Sequence, residues 1–585
     1  MKSKHSIKRL FPYLRPYRWK LILAIFLVIG TNVLLALDPM IEGLITTKLM
    51  QNISNHTGVD FTYIIKIIVI LCISYVTSSL STIAYNFLFT SAIQEAMKAL
   101  RQAVEQKIRR LPIAYFDTHA FGDILSRVTN DVDTISNALQ QALAQILNAV
   151  LGLSFAIFMM FTIHPMMAIL ALFIIPLSIF LSRWIVKKSQ PLFGKQQDAL
   201  GNLNGIVQEK FTGFHEIKLF GKEEGALQDF KAANQALCDY GFRAQFISGL
   251  MNPLVSFITY LDISVNAVIG SLFVLRGVIS VGNLQAFVRY IWQVHTPLSQ
   301  MTTLSSAVQS SLAATERVFA FLDEEEEERE VNKATHTMHV KGDVQFDHVY
   351  FGYRKDNILL KDVNANIKSG QMVAIVGPTG VGKTTLINLL MRFYDVTSGA
   401  IRIDGIDIKD IPREDVRAMF GMVLQDTWLF HGTIKENIAY GVEHASDEEI
   451  IEAAKIANVH HFIQTLPDGY HMMLNEEANN ISQGEKQLLT IARAVLSDPA
   501  ILILDEATSS VDTRLEQLLQ NAMRNVMKGR TSFVIAHRLS TIRNADVILV
   551  IKDGNIIEQG NHDELMARRG YYEQLYHAQF AHLQD

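Results

Sequence analysis

The chain has 585 residues, of which 49% are hydrophobic, and its formal net charge is -5. Length alone predicts several domains. The slightly acidic balance, with no basic arm and no platform of aromatic and basic residues, argues against nucleic-acid binding. Cys72 and Cys238 are the only cysteines, and two lone thiols give no disulfide or metal-site pattern.

Long apolar runs dominate the chain up to Leu322. A bilayer core about 30 Å thick needs about 20 mostly apolar residues per helix. The basic segment before the first run is too long for a signal peptide and no small-residue cleavage site follows, so this run is expected to remain as a membrane helix. So many consecutive runs disfavour the alternative, buried helices of a large soluble protein. Six spans are predicted, at 19–40, 61–89, 138–163, 165–187, 247–275 and 283–308.

Basic residues indicate the orientation of these spans. Lysine and arginine collect before the first span and between the second and third, whereas residues 51–60 contain neither. Because basic residues accumulate on the cytoplasmic side, both termini are predicted to be cytoplasmic.

The two inward-facing connections are long and have a helical pattern. One continues after span 2 to Arg110, and the other runs after span 4 from Gln196 to Glu224. About 20 extra residues extend a helix by about 30 Å, far enough to reach a cytosolic domain. Solvated hairpins fit the pattern equally well. The acidic run from Asp323 to Glu328 is predicted to be a solvated linker.

A glycine-rich loop lies between a predicted strand over 371–376 and a predicted helix over 386–392. The GxxxxGK[ST] phosphate-binding motif requires this strand–loop–helix context. Loop N–H groups and the helix N-terminus would surround phosphate oxygens. Lys383 is expected to reach the β- and γ-phosphates of ATP, and Thr384 to ligate Mg²⁺. The predicted nucleotide-binding residues here are Gly377, Pro378, Thr379, Gly380, Val381, Gly382, Lys383, Thr384 and Thr385.

A second buried strand is predicted over 501–504 and ends in two carboxylates, Asp505 and Glu506. Parallel sheets bind ligands at the carboxyl ends of their strands. Asp505 suits the Mg²⁺ shell, and Glu506 suits the base that polarises the attacking water, because phosphoryl transfer mainly needs positioning and charge compensation. The glycine-rich loop upstream disfavours the alternative, a core strand with an incidental acidic end.

The segment Ser482-Gln483-Gly484-Glu485-Lys486-Gln487, just before the Asp505 strand, resembles the signature motif of ABC transporters. Further motifs of that family occur in the expected order, namely an adenine-stacking aromatic at Tyr353, the Q-loop at Gln425, a D-loop over 509–512 and the switch histidine at His537. The resemblance implies ATP and Mg²⁺ as cofactors. It makes Glu506, Gln425 and His537 catalytic, Thr384, Gln425 and Asp505 the Mg²⁺ ligands, and Tyr353, Ser482 and Gly484 further ATP contacts.

The resemblance also implies the fold. We expect an all-α polytopic membrane domain of six helices over 1–322, a linker over 323–342 and an α/β P-loop ATPase domain over 343–585. Tyr115-Phe116-Asp117 and the segment 209–221 resemble the two intracellular loops of ABC exporters. The short coupling helices of that family would lie near 115–121 and 206–214, and this favours docking loops over solvated hairpins.

Two motifs depart from the family pattern. The usual signature is LSGGQ, whereas this chain has Ile481-Ser482-Gln483-Gly484-Glu485, and its D-loop differs from SALD. Glu485 would place a carboxylate near a polyanion, at a cost of roughly 2 kcal/mol per pair of unit charges at about 8 Å and an effective dielectric of about 20. Such changes resemble one subunit of heterodimeric bacterial multidrug ABC exporters, in which the subunit with the intact glutamate carries the altered signature. A homodimer with neutral drift is the alternative.

The predicted function is ATP-driven export of amphipathic small molecules, drugs or lipids, across the cytoplasmic membrane by a dimer with a second half-transporter. The alternatives are a homodimeric lipid flippase and a channel or regulatory subunit; the intact Glu506 favours steady turnover.

Asp262 and His295 are predicted to lie about 20 Å below the outer turn between spans 5 and 6. An ionisable residue at that depth suggests a functional site. We therefore expect Asp262, near or paired with His295, to help bind cationic substrates. A structural pair that locks spans 5 and 6 is the alternative. Asp38 and Glu42 are weaker candidates because they are expected closer to the outer surface.

Overall fold

A computed structural model describes residues 8–327, 330, 340–354, 356–424, 427–475, 478, 480–505, 513–535 and 539–580. The chain divides into two compact units. The first unit comprises Met1–Leu111 and His119–Glu325, and the second comprises Pro112–Thr118 and Glu326–Asp585.

The first unit is helical. Six long helices are labelled α1 (Arg18–Ser54), α2 (Phe61–Ile108), α3 (Val132–Ile163), α4 (Ile174–Thr212), α5 (Met251–Leu275) and α6 (Val281–Leu322). The remaining helices are Phe11–Leu14, Phe121–Ser126, Pro165–Leu172, Phe214–Leu219 and Glu223–Gly249, with a 3-10 turn at Arg15–Tyr17 and a π-helical turn at Arg127–Asp131.

Among the described residues, five helical segments are long and apolar enough to cross a membrane, namely Phe11–Ser54, Phe61–Ile108, Phe121–Ile163, Pro165–Thr212 and Glu223–Leu275. The sixth predicted span lies within α6, whose polar side chains Gln285, Arg289 and Gln293 all hydrogen-bond to α1. These polar side chains interrupt the apolar sequence of α6 within the predicted span.

Close backbone packing joins α1 to the start of α6. A Cβ atom on Gly282 would lie 1.8 Å from the carbonyl oxygen of Gly43. Small residues permit such approach between membrane helices. Deeper in the unit, Phe287 and Tyr290 are fully buried and pack in one apolar cluster with Met160 and Met167.

The second unit contains two main sheets. The strands are β1 (Val344–Phe351), β2 (Leu360–Ile367), β3 (Met372–Val376), β4 (Ser398–Ile403), β5 (Ile406–Asp407), β6 (Phe420–Val423), β7 (Gly432–Thr433), β8 (Met473–Leu474), β9 (Ile501–Asp505), β10 (Thr531–Ile535), β11 (Val547–Lys552) and β12 (Asn555–Gly560). One main sheet has the strand order β12-β11-β3-β10-β9-β6, and the other is antiparallel with the order β2-β1-β4-β5. In the first sheet β11, β3, β10, β9 and β6 are parallel and β12 is antiparallel.

Helices cover the parallel sheet, whose strands β3, β9, β10 and β11 are buried along almost their whole length. Such continuous apolar strands are typical of parallel sheets that are covered on both faces. The helices of this unit are Ile113–Thr118, α7 (Lys383–Leu390), Arg413–Ala418, Ile434–Ile438, Asp447–Ile456, His460–Thr465, α8 (Gln483–Leu496), Thr513–Met527, Leu539–Arg543, His562–Ala567 and Tyr571–Phe580, with 3-10 turns at Ala439–Gly441 and Gly469–His471.

The predicted fold class, a polytopic helical domain followed by an α/β ATPase-type domain, is confirmed.

Two predicted short helices differ in position. The first is Ile113–Thr118, close to the predicted 115–121. The second, predicted near 206–214, is wrong, because α4 continues to Thr212 and the short helix is Phe214–Leu219. Gly213 separates the two helices, so the helical pattern before it belongs to the long helix.

Candidate functional site

The glycine-rich loop begins where β3 leaves the centre of the parallel sheet. A Cβ atom on Gly377 would lie 2.4 Å from the carbonyl oxygen of Ile551 on β11. Only glycine fits so close to a neighbouring strand. Gly382 has φ 106° and is the N-cap of α7, a left-handed conformation that side chains rarely adopt. The two glycines therefore allow the loop to turn tightly from strand to helix.

Lys383 is the first residue of α7, and its side chain reaches back to this loop. Its Nζ donates hydrogen bonds to the carbonyls of Gly377, at 2.7 Å, and Pro378, at 3.2 Å. Burial lowers the pKa of Lys383, and the negative charge of Asp505 opposes that effect. Thr384, in the first turn of α7, is exposed. The loop thus holds an ammonium group and an accessible hydroxyl near the helix N-terminus, where phosphates bind.

Asp505 is the last residue of β9 and lies opposite Ile535 of β10, which itself pairs with Ile375 of β3. One strand therefore separates Asp505 from the glycine-rich loop, and two strand spacings amount to about 10 Å. Lys383 and Asp505 thus lie at the same edge of the sheet. Asp505, Lys383 and the Thr384 hydroxyl fit a Mg²⁺–nucleotide group, since magnesium is usually held by one or two carboxylates plus phosphates.

Three predicted catalytic residues, Gln425, Glu506 and His537, lie outside the described residues. The strands that precede them, β6, β9 and β10, are parallel neighbours and end at this same edge.

Tyr353, the predicted adenine-stacking residue, is half exposed at 52%. Its hydroxyl lies 3.1 Å from Oγ1 of the buried Thr385 in α7. Tyr394 packs edge-on against the Tyr353 ring at 5.1 Å, and its hydroxyl donates to Asp117 of the helix Ile113–Thr118. Burial and this hydrogen bond raise the pKa of Tyr394.

Sequence reasoning missed Tyr394. Its aromatic neighbours could have suggested a core residue only, because Asp117 is 277 positions away in the chain. Tyr394 contacts both the candidate adenine-stacking residue and the helix Ile113–Thr118 of the same unit.

The altered signature forms the N-terminus of α8. Ser482 and Glu485 make a capping box, in which Glu485 N donates to Ser482 Oγ at 3.4 Å and Ser482 N donates to Glu485 Oε2 at 2.7 Å. Gln483 Nε2 donates to Thr427 Oγ1 at 3.3 Å. The Glu485 carboxylate therefore caps its own helix. Ser482 is exposed at the helix start and Gly484 is buried.

Comparison with known proteins identifies the family to which the chain belongs. The family "ABC transporter transmembrane region" matches residues 21–298, and the family "ABC transporter" matches residues 360–509. A "Fatty acid ABC transporter ATP-binding/permease protein" of Mycobacterium bovis is 46% identical over 525 residues, covering 90% of this chain and 83% of that protein. The chain is an ABC exporter half-transporter.

Two further similarities concern the exporter as a whole. An "ATP-dependent lipid A-core flippase" of Syntrophus aciditrophicus is 36% identical over 487 residues, covering 83% of this chain and 81% of that protein. A solved structure of a bacterial Atm1-family ABC exporter with ATP bound has a TM-score of 0.75 and 29% sequence identity, covering 96% of this chain and 98% of that one.

In the membrane unit of the exporter, Asp262 and His295 have different hydrogen-bond partners. Asp262 Oδ1 accepts from Asn266 Nδ2 at 2.9 Å, and the buried Oδ2 atom meets no donor among the described residues. His295 Nδ1 lies 2.8 Å from Oγ1 of Thr259, which precedes Asp262 by three residues on α5. His295 therefore lies level with Thr259, about one helical turn from Asp262, and each of the two ionisable side chains binds a neighbour on α5.

Proposed function

We propose that this exporter uses ATP and Mg²⁺ to move amphipathic small molecules, lipids or drugs, across the cytoplasmic membrane. The observation that carries the proposal is that Lys383, bound to the glycine-rich loop, and Asp505 lie at the same edge of the parallel sheet. The other unit of the chain is a polytopic membrane domain. The two relatives named above are a fatty acid transporter and a lipid A-core flippase, and both names favour lipid-like substrates.

In this proposal the nucleotide contacts and the reacting groups come from the edge of the parallel sheet. Lys383 binds the β- and γ-phosphates, Thr384, Asp505 and Gln425 ligate Mg²⁺, and Tyr353 stacks on adenine. Glu506 polarises the attacking water, with Gln425 and His537 beside it. Positioning and charge compensation of this kind supply most of the catalysis of phosphoryl transfer.

We further propose a heterodimer. The sites are composite: the P-loop of one chain is completed by the signature of the other. The altered sequence of residues 481–485 supports a division of labour in which Glu506 serves a competent site closed by the partner's signature. A homodimeric lipid flippase is the second candidate, because one relative is named a lipid A-core flippase. The ATPase domain and both termini are proposed to be cytoplasmic, on the distribution of basic residues.

Asp262 is proposed as a contact for cationic substrates. Its Oδ2 atom is buried without a donor among the described residues, so a donor group on a substrate could complete its hydrogen bonding. Because His295 binds Thr259, its role in this proposal is to lie near Asp262 rather than to pair with it.

The test of the transport function is ATP-dependent movement of fluorescent lipids in proteoliposomes that contain the purified exporter with its partner. Unmutated protein should move lipid from one leaflet to the other only with Mg²⁺ and ATP, and Glu506→Gln should not. Lipid movement that is equal with and without ATP, or unchanged in Glu506→Gln, would contradict the proposal.

A further inference from the structure

A row of polar side chains follows one face of α6. Gln285, Arg289 and Gln293 are four residues apart, and this spacing puts them on the same side of a helix. Each bonds to α1. Gln285 binds Thr46, Arg289 donates to Glu42 at 3.2 Å, and Gln293 donates to the carbonyl of Leu35 at 3.1 Å. We call Glu42, Thr46, Gln285, Arg289 and Gln293 the α1–α6 polar stripe.

The polar stripe is accessible rather than buried. The Arg289 side chain is 59% exposed and that of Glu42 is 21% exposed. Arg289 lies seven residues after Gly282 in α6, or about 10 Å below the outer turn, and so within the membrane. Exposed charges and amides are costly against acyl chains, and such residues face a water-filled or protein-lined space instead. The stripe therefore borders a polar space inside the membrane.

Two donors converge on one carboxylate oxygen at the centre of the stripe. Glu42 Oε1 accepts from Arg289, at 3.2 Å, and from the hydroxyl of Tyr75 on α2, at 2.7 Å. An arginine and a hydroxyl that donate to one oxygen form the kind of donor set that binds a carboxylate or phosphate group strongly. Asp38, one turn earlier on α1, is 3% exposed and accepts from Ser74. Glu42 is therefore the acidic side chain at the accessible surface of the stripe.

We propose that Arg289 and Tyr75 bind the anionic head group, carboxylate or phosphate, of a transported amphiphile, and that Glu42 occupies this position between substrates. The inference rests on the proposed export of amphiphiles. When no substrate is bound, Glu42 forms an ion pair with Arg289, since an unpaired charge at this depth is costly. The amides of Gln285 and Gln293, one turn to either side, supply further donors. A displaced Glu42 carboxylate keeps its own charge, so binding of one anion makes the stripe more negative by one unit unless Glu42 takes up a proton.

The test uses the complete exporter with its partner in proteoliposomes. Three probes share a sixteen-carbon chain and differ in head group: palmitate, hexadecyl phosphate and the uncharged hexadecanol. The readouts are the probe concentration that gives half-maximal ATPase stimulation and the ATP-dependent movement of each probe. Arg289→Gln should raise the half-maximal concentration of the anionic probes about tenfold or more, the loss expected for a charge-assisted contact, and leave hexadecanol unchanged.

Glu42→Gln should act in the opposite direction, lowering the half-maximal concentration of anionic probes several-fold, because it removes the competing carboxylate. Lys48→Gln is the matched control, because Lys48 is on α1 but contacts Asp60, at 3.9 Å, outside the stripe. This variant should leave the half-maximal concentration and the movement of all three probes unchanged. If Arg289→Gln does not assemble, Tyr75→Phe provides the test, since it removes only one hydroxyl. It must raise the half-maximal concentration of the anionic probes and leave that of hexadecanol unchanged.

An effect confined to palmitate identifies a fatty carboxylate, and one confined to hexadecyl phosphate identifies a phosphate head group. Either result supports the site. Equal effects of the variants on charged and uncharged probes, or no effect on any, would overturn the inference while leaving lipid export intact. Failure of the unmutated exporter to move or respond to any probe would overturn the inference together with the proposed substrate class.

Discussion

Glu330 and Arg392 form an ion pair that is almost buried. The guanidinium donates to both carboxylate oxygens, at 2.5 and 3.3 Å, and the side chains are 12% and 4% exposed. The backbone N–H of Arg413 also donates to Glu330, and Glu327 accepts from Arg413 and Arg417. The acidic run from Asp323 to Glu328 was predicted to be a solvated linker. The structure differs at Glu327, which binds two arginines, and Glu330, two residues beyond the run, contacts Arg392 and Arg413. Glu327 and Glu330 therefore attach the first residues of the second unit to three arginines of the same unit, Arg392, Arg413 and Arg417.

The first prediction concerns this contact. Glu330→Gln should lower the unfolding free energy by about 2 kcal/mol, because Arg392 loses a charged partner in a poorly hydrated site but keeps Asp395 at 3.1 Å and two backbone carbonyls. For a domain of this size the expected fall in melting temperature is about 4–8 °C. Thermal unfolding of the purified exporter measures it. Glu325→Gln, which changes an exposed acid of the same run, is the control and should have the melting temperature of the unmutated protein. Equal melting temperatures of the two variants would mean that the Glu330–Arg392 pair contributes nothing to stability.

A second prediction separates nucleotide binding from hydrolysis. Lys383→Ala should weaken ATP binding about 10- to 100-fold, the value of a charge-assisted hydrogen bond. Glu506→Gln should reduce turnover by two orders of magnitude or more while binding stays nearly intact, since an amide keeps the shape but cannot act as a base. Equilibrium binding of a labelled nucleotide and steady-state ATPase rates measure the two effects. Lys368→Ala, at an exposed turn before β3, should change neither. Hydrolysis near the normal rate in Glu506→Gln would refute its role as the base.

Tyr394 gives a third prediction. Tyr394→Phe keeps the ring against Tyr353 but removes the hydroxyl that binds Asp117. Nucleotide affinity should therefore stay within about twofold, whereas stimulation of the ATPase by transported lipid should be largely lost. Burial and Asp117 raise the pKa of Tyr394, so its hydroxyl stays protonated at neutral and mildly alkaline pH. Lipid stimulation of the ATPase in the unmutated exporter should therefore not change over this pH range through Tyr394. Tyr440→Phe is the control, and full stimulation in Tyr394→Phe would exclude the contact from coupling.

The fourth prediction addresses the dimer. The chain expressed alone should show little substrate-stimulated ATPase activity, and activity should appear on co-expression with a half-transporter that carries an intact LSGGQ signature. The physical reason is the Glu485 carboxylate, which would approach the γ-phosphate of a bound nucleotide from the altered signature. Purified homodimer and co-purified heterodimer are compared at equal concentrations. Brisk stimulated turnover by the homodimer would favour the flippase alternative.

The fifth prediction concerns Asp262. Asp262→Asn in inside-out vesicles should reduce transport of a cationic dye about tenfold or more while a neutral dye of similar size is moved normally, because the amide cannot pair with a cation. Basal ATPase activity is monitored in the same vesicles. Asp239→Asn, in the helix Glu223–Gly249, serves as the control. Equal loss of both dyes with defective assembly would indicate a structural role, and unchanged transport of both would exclude Asp262.

Local sequence determined the elements whose physics is local. A bilayer core demands about 20 apolar residues per helix, so the apolar runs indicated the membrane helices without any knowledge of their packing. The Gly377 and Gly382 positions likewise indicated the phosphate loop, because strand, tight turn and helix are adjacent in the chain. The position of the second short helix was predicted wrongly, since the helical pattern before Gly213 is the same whether it belongs to a long helix or a short one.

Tertiary structure alone decided the contacts between distant side chains. Glu330 meets Arg392 across 62 positions, Glu42 meets Arg289 across 247, and Tyr394 meets Asp117 across 277. Each of these side chains, read in its own segment, is an ordinary charged or aromatic residue on a helix, a turn or a linker. Their pairing depends on which helix faces pack together, and that is set by burial of the whole apolar surface rather than by any one segment.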